Sequence, residues 1–436
     1  MTPRRAILLL GSLLLLTACG YRAPLHASYI PQVTDASAWP GVHADYRQLA
    51  ALMEKDTGMK PTEGNTVTLF PDGKLRWDML QEDLQRARTA IYLDHYRFCT
   101  DSLGTLVEGI LREKARQGLD VRIILDKGAN TREHLRELAT LRGDGVQLHL
   151  FRLPVLLLDA VWPSMATHRD HRKILLLDGR TGYLGGRNLQ NEYFLEWCDA
   201  DIRITGPAVA DLSAVYMENQ RRVAPGLEPV YVAPDLAEAA PADRIPQLEQ
   251  FTDVTVQIVP ESPTDEILPV RNCFEWAVQN ARRYFWFYNP YTPPPPSTLK
   301  ALKEAARRGV DVRWIVPAIN DVAVEKWMGE SMYRELTDAG VRIFEWQEHM
   351  LHAKQFMTDG ALMGIGSANM DNLSFFLNYE VLALVYDEAV TGRAADTFLS
   401  DLETHCIEIT RADLRRWSVF RRLRNRLTRL IGGSLG

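Results

Sequence analysis

The stretch HRKILLLD at residues 171–178 returns 181 positions later as HAKQFMTD at residues 352–359. The match continues without a gap to GGRN at residues 185–188 and to GSAN at residues 366–369. Counted from each histidine, a lysine follows at +2, an aspartate at +7, a glycine at +14, an asparagine at +17 and a carboxylate at +28. One histidine–lysine pair would carry little information, but two copies at full length predict a duplicated unit.

The segments around the two copies follow one plan, in which a helix ends at a glycine and a short apolar run comes next. The first copy runs through Gly118 into DVRIIL at residues 120–125, and the second runs through Gly309 into DVRWIV at residues 311–316. Glycine commonly ends a helix in a left-handed turn, and runs rich in branched residues are typical of strands buried on both faces. The alternation predicts an α/β fold in which each half has a mixed, largely parallel sheet flanked by helices.

The histidine and lysine of each copy lie two residues apart at the start of an apolar run that predicts a strand. Side chains two apart on a strand project from the same face, so each half offers an imidazole beside an ammonium group. The glycines permit close approach of the backbone to a ligand. The lysine and asparagine side chains of both halves would then surround the oxygens of a phosphate as hydrogen-bond donors. The predicted site comprises His171, Lys173, Asp178, Gly186, Asn188, Asp199, His352, Lys354, Asp359, Ser367, Asn369 and Glu380.

Two kinds of carboxylate accompany the histidines, and we expect different roles for them. Asp199 and Glu380, at +28, would each hold one ring nitrogen of a histidine so that the other faces phosphorus; the alternative is an ordinary ion pair. Asp178 and Asp359, at +7, are expected to pin the turn after each strand. No metal and no cofactor are expected, because lysine is not a usual metal ligand and the histidine–lysine spacing matches no zinc pattern.

The pattern H-x-K-x4-D-x6-G-G/S-x-N, present twice, resembles the signature of the phospholipase D superfamily. Three further segments, HRDHRKI at 168–174, DADIRITGPAV at 199–209 and GSANMD at 366–371, are similar to its cardiolipin synthase branch. The resemblance covers roughly residues 75 to 430. It implies two duplicated phospholipase D-like domains with the active site at their interface. It also implies that His171 is the nucleophile, which forms a phosphohistidine, and that His352 is the general acid and base.

The activity implied by the resemblance is that of a phosphatidyltransferase, which makes cardiolipin or a related phospholipid from phospholipid substrates. Two departures leave the substrate pair open: Leu373 stands where the branch commonly has arginine, and Asn289–Thr292 replaces its T-P-Y-F. The alternatives are a hydrolase that releases phosphatidic acid, a nuclease or other phosphodiesterase, and a non-catalytic envelope lipoprotein. A net charge of −6 provides no general attraction to nucleic acid, and intact histidines and lysines in both copies argue against the lipoprotein scaffold.

The N-terminus predicts export and lipid anchoring. Two arginines precede an 11-residue apolar run at residues 6–16, which is far short of the roughly 20 residues that span a bilayer, so residues 1–18 are predicted to be a signal peptide. The sequence LTAC at residues 16–19 resembles a lipobox, which implies acylation of Cys19. We therefore expect a periplasm-facing protein of the bacterial envelope, and Gly20 favours the outer over the inner membrane.

The remaining boundaries follow from composition. A lipid-anchored tether is predicted at 19–45, a first domain at 46–232, a linker rich in alanine, proline and acids at 233–250, and a second domain at 251–410. Residues 411–436 predict a basic amphipathic helix, because residues 411–431 carry eight arginines and one acid. Its apolar positions are Leu414, Trp417, Phe420, Leu423, Leu427 and Leu430. Such a helix suits a membrane surface, although it could instead dock on its own domain.

Overall fold

A computed structural model describes residues 39–151, 168–227, 245, 248–291 and 293–432, with the backbone alone for residues 429–432. The helices of the first half are α1 Arg47–Thr57, α2 Gly73–Arg86, α3 Ser102–Arg116, α4 Arg132–Leu138, α5 Asn191–Leu195 and α6 Ala208–Val223. The strands of the first half are β1 Thr62–Leu69, β2 Ala90–His95, β3 Asp120–Asp126, β4 Gln147–Phe151, β5 Lys173–Leu177, β6 Thr181–Gly185 and β7 Asp201–Thr205.

The second half repeats this succession of elements. Its helices are α7 Pro269–Asn280, α8 Pro296–Arg307, α9 Ala323–Ala339, α10 Asn372–Phe376, α11 Glu388–Thr404, α12 Arg411–Arg416 and α13 Val419–Gly432. Its strands are β8 Gln250–Glu261, β9 Tyr284–Tyr288, β10 Asp311–Pro317, β11 Arg342–Trp346, β12 Gln355–Thr358, β13 Leu362–Gly366, β14 Glu380–Tyr386 and β15 Cys406–Glu408.

One continuous sheet of 15 strands joins the two halves, in the order β15-β11-β10-β9-β12-β13-β14-β8-β1-β7-β6-β5-β2-β3-β4. From the central pair outward, β1-β7-β6-β5-β2-β3-β4 on one side corresponds to β8-β14-β13-β12-β9-β10-β11 on the other. The antiparallel pairing of β1 with β8 brings Val67 opposite Phe251. The mirrored order confirms the duplicated mixed α/β fold predicted from the sequence.

The prediction that each sheet is largely parallel is wrong. Parallel pairing in the described strands is confined to β2-β3-β4 and β9-β10-β11, and the other neighbours are antiparallel. The reason is local: β5 and β12 each run into an Asp-Gly pair, at residues 178–179 and 359–360, with both residues at positive φ. This is the two-residue turn that connects antiparallel strands in a hairpin.

Helices α6 and α11 cover a core to which strands of both halves contribute. Leu212 and Tyr216 of α6 and Phe398 of α11 are fully buried there, together with Val67 of β1 and Ile258 of β8. Because this core extends across the central strands, the two halves are packed as one unit. The strand ends that carry the motifs are consequently held in a fixed relation to each other.

Helix α1 belongs to the second half by its packing, although the sequence placed residues 46–232 in the first domain. Its apolar face, with Leu49 and Met53, is buried with Cys273 and Ala277 of α7. Helix α1 packs on the second half because its apolar face is buried against α7, whereas β1, the first strand of the first half, begins only at Thr62. The predicted signal peptide, Cys19 and most of the predicted linker lie outside the described residues. None of the described helices is long and apolar enough to cross a membrane.

Candidate active site

The two motif histidines lie just outside their strands rather than within them. His171 precedes β5 by two residues and His352 precedes β12 by three. Both segments pair across the boundary between the halves: the N–H of His171 donates to the carbonyl of Tyr379 at 3.0 Å, and that of His352 donates to the carbonyl of Cys198 at 2.6 Å. Each histidine is therefore positioned by backbone that belongs to the other half.

The carboxylates at +28 bind the histidines crosswise. Nδ1 of His171 lies 2.8 Å from Oε1 of Glu380, and Nδ1 of His352 lies 2.7 Å from Oδ2 of Asp199. Each pair thus joins residues from different halves. A ring nitrogen held in this way fixes the orientation of the imidazole and leaves Nε2 available to a substrate.

Glu380 is held as an ionised carboxylate. The hydroxyl of Ser374 donates to Oε1 at 2.6 Å, and the hydroxyl of Ser367 donates to Oε2. Burial alone would raise the pKa of Glu380, but His171, Lys173 and the Ser367 hydroxyl hold this pKa at about 2. Ser374, which the sequence analysis missed, has no counterpart in the first copy, where Tyr193 occupies the same distance from the histidine.

Asp199 has a different environment. Besides His352, it accepts a hydrogen bond from the N–H of Ala200 at 2.8 Å, and burial raises its pKa. Gly186 stands where the second copy has Ser367, and a Cβ at Gly186 would lie 2.1 Å from Oδ1 of Asp199. Glycine is necessary at this position because any side chain would collide with the Asp199 carboxylate. The pattern had suggested an approaching ligand instead.

The two lysines are buried beside the histidines. Nζ of Lys173 donates to the carbonyl of His171 at 2.5 Å. Nζ of Lys354 donates to the carbonyl of His352 and lies 2.7 Å from its Nδ1 and 3.0 Å from its Nε2. Burial lowers the pKa of Lys173 to about 7, with Glu380 opposing the shift and Lys354 adding to it, and burial lowers that of Lys354 to about 8.

Burial also lowers the pKa of both imidazoles. Glu380 offsets part of the effect at His171, whereas Lys354 and Lys173 add to it at His352, whose pKa falls well below its usual value. Both rings therefore hold a proton less readily than a free imidazole does. The lowered pKa values of the lysines and histidines indicate that positive charge in the site is poorly balanced by negative charge. A bound phosphodiester anion would supply the missing negative charge.

Aromatic rings enclose the histidines, and no motif pointed to them. Tyr96 meets His171 edge-on at 4.8 Å between ring centroids, and Tyr193 meets His352 edge-on at 5.0 Å. Tyr291 approaches His352 from another side, at 5.7 Å. Tyr96 directly follows β2 and Tyr291 follows β9 by three residues, so both rings come from the loops after equivalent strands. These rings exclude water and hold the imidazoles in place.

Several buried polar atoms of the site have no hydrogen-bond partner in the described part of the chain. They include Oδ1 of Asn188 and of Asn369, both predicted site residues. They also include Nδ1 of His95 and both amide atoms of Asn289. His95 pairs with Lys173 across the sheet, and Asn289 directly follows Tyr288, which pairs with Gln355, so Asn289 takes the corresponding place in the second half. Buried polar atoms are almost always paired, so these atoms are free to receive a ligand.

Asp178 and Asp359 do not belong to the catalytic group. Asp178 accepts from the N–H groups of Arg88, Thr89 and Ala90, and Asp359 does the same at residues 282–284. Both lie at the far end of the motif strand from the histidine. Their carboxylates hold the start of β2 and of β9 and pin the turn, so these two members of the predicted site have the structural role expected for them.

No group of three or more histidine, cysteine, aspartate or glutamate side chains in the described ranges could hold a metal ion. Positive charge in the site comes from Lys173 and Lys354. The arrangement brings together two oriented imidazoles, two buried ammonium groups and free amide atoms, which is suited to the transfer of a phosphoryl group through a covalent intermediate.

The chain is similar in sequence to cardiolipin synthases. The family model for the cardiolipin synthase, phospholipase D-like domain matches residues 80–221 and 276–402. A cardiolipin synthase of Listeria monocytogenes is 30% identical over 366 residues, which cover 82% of this chain and 73% of that protein. A cardiolipin synthase of Geobacillus thermodenitrificans is 31% identical over 348 residues, covering 76% and 65%.

Among solved structures, the phosphatidylserine synthase of Haemophilus influenzae superposes with a TM-score of 0.63 at 14% identity, covering 84% of this chain and 94% of that one. The polyphosphate kinase of Porphyromonas gingivalis superposes with a TM-score of 0.52 at the same identity, covering 88% and 54%. At these identities the superpositions establish a shared fold.

Proposed function

The chain belongs to the phospholipase D superfamily as a cardiolipin synthase-like phosphatidyltransferase, and on that premise we propose that it makes cardiolipin or a closely related phospholipid through a phosphohistidine intermediate. The observation that carries the proposal is the crosswise pairing of two histidines with carboxylates of opposite halves, beside two buried lysines. The similarity to cardiolipin synthases over most of the chain supports the choice of lipid product.

In the first step, Nε2 of His171 attacks the phosphorus of a phosphatidylglycerol molecule. The bond from phosphorus to the glycerol head group breaks, and the departing oxygen takes a proton from His352. Burial and the lysines disfavour a protonated His352, and the negative charge of the bound phosphodiester opposes that effect. Lys173 and Lys354 bind the oxygens on which negative charge builds up.

In the second step, the hydroxyl of another phosphatidylglycerol molecule gives its proton to His352 and attacks phosphorus. The phosphorus–nitrogen bond to His171 breaks, which releases cardiolipin and restores both imidazoles. Water in place of that hydroxyl would give phosphatidic acid, so hydrolysis is the competing reaction of the same intermediate.

The environment of Glu380 supports the assignment of His171 as the nucleophile. When Nε2 bonds to phosphorus, the His171 ring becomes positively charged, and an ionised partner at Nδ1 stabilises that charge. Glu380 is such a partner, because Ser367 and Ser374 donate to it and its pKa lies at about 2. Asp199, beside His352, has its pKa raised by burial, and within the described ranges it accepts from no hydroxyl group.

The decisive experiment is to incubate the purified protein with phosphatidylglycerol, alone and with phosphatidylethanolamine, and to identify the products by mass spectrometry. Cardiolipin accompanied by free glycerol supports transfer. Phosphatidic acid without cardiolipin would contradict the proposed product while leaving the phosphoryl chemistry intact. His171→Ala serves as the inactive control, since it lacks the attacking nitrogen.

We also propose that the protein is a lipoprotein of the bacterial envelope, anchored through Cys19 after removal of residues 1–18 and facing the periplasm, at the outer membrane. The support is the sequence of the N-terminus, which lies outside the described residues. Metabolic labelling with a radioactive fatty acid tests it: the label should enter the protein and be lost in Cys19→Ala. Unlabelled protein that still fractionates with membranes would exclude this anchor.

A further inference from the structure

Helix α13 is bound to the rest of the protein by its polar face. Arg421 and Arg424 each place a guanidinium nitrogen 2.7 Å from Glu330 of α9, and Nδ2 of Asn425 donates to the same carboxylate at 2.9 Å. Glu330 and Asn425 are both buried. The three partners of Glu330 lie on one side of the helix, at the spacing of successive turns.

Aromatic rings reinforce this contact. The guanidinium group of Arg421 lies 3.8 Å from the ring centroid of Trp417, and that of Arg424 lies 4.8 Å from the ring centroid of Trp327 on α9. Trp417 in turn meets Tyr333 of α9 at 6.1 Å between ring centroids. The helix is therefore held in one orientation, with arginines facing inward.

The opposite face of α13 is apolar and exposed. The exposed fractions are 86% for Phe420, 53% for Leu423 and 51% for Leu427. An amphipathic helix on a water-soluble domain normally turns such a face toward the core. Here the amphipathic character is inverted, because the arginine face is the one that contacts protein. Leu430, the next position predicted for this face, lies where the backbone alone is described.

The direction of α13 relates the exposed face to the catalytic site. Arg421 contacts Glu330 of α9, and Arg424, one turn further along α13, contacts Trp327, which is nearer the N-terminus of α9. The helix therefore runs antiparallel to α9, toward the loop that precedes α9. In that loop Asp321 accepts a hydrogen bond from the hydroxyl of Tyr291 at 2.8 Å, and the ring of Tyr291 contacts His352.

The loop adds exposed apolar side chains of its own. Ile319 is 60% exposed and Val322 is 41% exposed, on either side of Asp321. Phe420, Leu423 and Leu427 thus extend along α13 toward a loop that borders the catalytic site and exposes two apolar side chains of its own. An apolar surface with this position suits contact with the phase in which a phospholipid substrate resides.

We propose that α13 lies in the surface of an anionic phospholipid bilayer, with Phe420, Leu423 and Leu427 inserted among the lipids and the loop that precedes α9, which borders the catalytic site, turned toward them. Positive charge favours this partner, because Arg422 and Arg426 are exposed on α13, and Arg415 and Arg416 are exposed on the preceding helix α12. The acid of this segment, Asp413, accepts a hydrogen bond from the N–H of Thr410. Basic helices with a phenylalanine and leucine face bind anionic membrane surfaces. A second copy would bring like charges together.

The proposal rests on the proposed function only for the role that membrane binding would play. The binding itself can be tested without measuring catalysis. Full-length Phe420→Cys protein is labelled with an environment-sensitive fluorophore and mixed with phosphatidylglycerol-containing vesicles. Leu106→Cys is the matched control, since Leu106 is 56% exposed on α3 of the other half, and wild-type protein treated alike corrects for the native cysteines. At position 420 we expect a blue shift and several-fold quenching by a quencher confined to the lipid phase, with neither effect at position 106.

Equal responses at the two positions, or no response at position 420, would overturn the proposal. So would a response at position 420 that appears without vesicles and scales with protein concentration, because it would show self-association. A second variant, Phe420→Ser/Leu423→Ser/Leu427→Ser, should lower activity on vesicles at least tenfold and leave activity on soluble short-chain phospholipid unchanged. Loss of all lipid activity in wild-type protein would contradict the proposed function without affecting the fluorescence result.

Discussion

Nδ1 of His171 lies 2.8 Å from Oε1 of Glu380, although 209 positions separate the two residues and they belong to different halves of the chain. The reciprocal pair, His352 with Asp199, spans 153 positions. The catalytic group is therefore assembled across the interface, because each half supplies the histidine of one catalytic pair and the carboxylate of the other.

The crosswise pairs predict unequal effects of neutralising the two carboxylates. Glu380→Gln removes the ionised partner of His171 and should slow formation of the phosphoenzyme about a hundredfold or more. Asp199→Asn should slow the steps in which His352 transfers a proton, while leaving the first attack less affected. Rapid-quench measurement of labelled phosphoenzyme separates the two. A larger loss of phosphoenzyme formation in Asp199→Asn would contradict the assignment of His171.

Ser374 is expected to be a positioning residue. In Ser374→Ala, Glu380 loses a hydroxyl donor at 2.6 Å, so its pKa should rise from about 2. Glu380 acts in its ionised form, so activity is present above its pKa and is lost when the solution is acidified below it. In the variant this loss should begin at a higher pH than in the wild type. The acid limb of the kcat/KM profile should move upward by a measurable fraction of a pH unit, whereas Ser331→Ala, on α9, should leave the limb unchanged. A uniform loss at every pH would indicate a merely structural role.

Removal of each histidine should have a different outcome. His171→Ala should abolish turnover and phosphoenzyme, because the attacking nitrogen is gone. His352→Ala should form a phosphoenzyme from a substrate with a good leaving group, which needs no proton, and then fail to pass the phosphatidyl group to an alcohol. Acid-quenched protein labelled on the lipid phosphate provides the measurement. Equal residual turnover in both variants, with no trapped label, would rule out the covalent sequence.

The lysines predict how activity depends on pH. Without substrate the pKa of Lys173 lies at about 7 and that of Lys354 at about 8, and the charged forms bind the phosphodiester. Because kcat/KM reports the free enzyme, it should fall as the pH rises through 7 to 8. A bound anion raises both pKa values, so the fall in kcat should occur at higher pH. Coincident limbs for kcat and kcat/KM would argue against lysines that charge upon binding.

Asp178 should matter for stability and little for chemistry. Its carboxylate accepts from three backbone N–H groups at the start of β2, and its φ of 54° suits the turn. Asp178→Ala should lower the free energy of unfolding by about 2 kcal/mol or more, measured by denaturant titration, with kcat of the folded protein retained. Asp359→Ala is the matched change in the second half. A variant of normal stability but without activity would return Asp178 to the catalytic group.

The histidines, lysines and asparagines could be found from the sequence because their spacing is repeated in full. The crosswise pairing could not, because a carboxylate at +28 is equally able to reach the histidine of its own half. That choice is made by the backbone pairing of His171 with Tyr379 and of His352 with Cys198, which is a property of the interface. Ser374 and Tyr193 were missed because they occupy equivalent positions but differ in residue type between the copies. Comparison of the repeats identifies only residues that the copies share.

The sheet was predicted less well than the site. Helix–strand alternation indicates parallel neighbours, and it holds for β2-β3-β4 and β9-β10-β11. The Asp-Gly pairs at residues 178–179 and 359–360 were available as hairpin signals and pointed to the antiparallel remainder. At the C-terminus, the periodicity identified an amphipathic helix, but it could not reveal which face contacts protein. That depends on Glu330, nearly a hundred residues earlier.

The central pairing of β1 with β8 gives the molecule an approximate twofold axis. Because the two halves belong to one polypeptide, their sequences can differ. A symmetric pair of separate identical polypeptides could complete each other's histidines, but every substitution would then appear twice. In a single polypeptide, one side has glycine and aspartate where the other has serine and glutamate, together with a second serine. This difference between the halves is what would let one histidine attack while the other transfers protons.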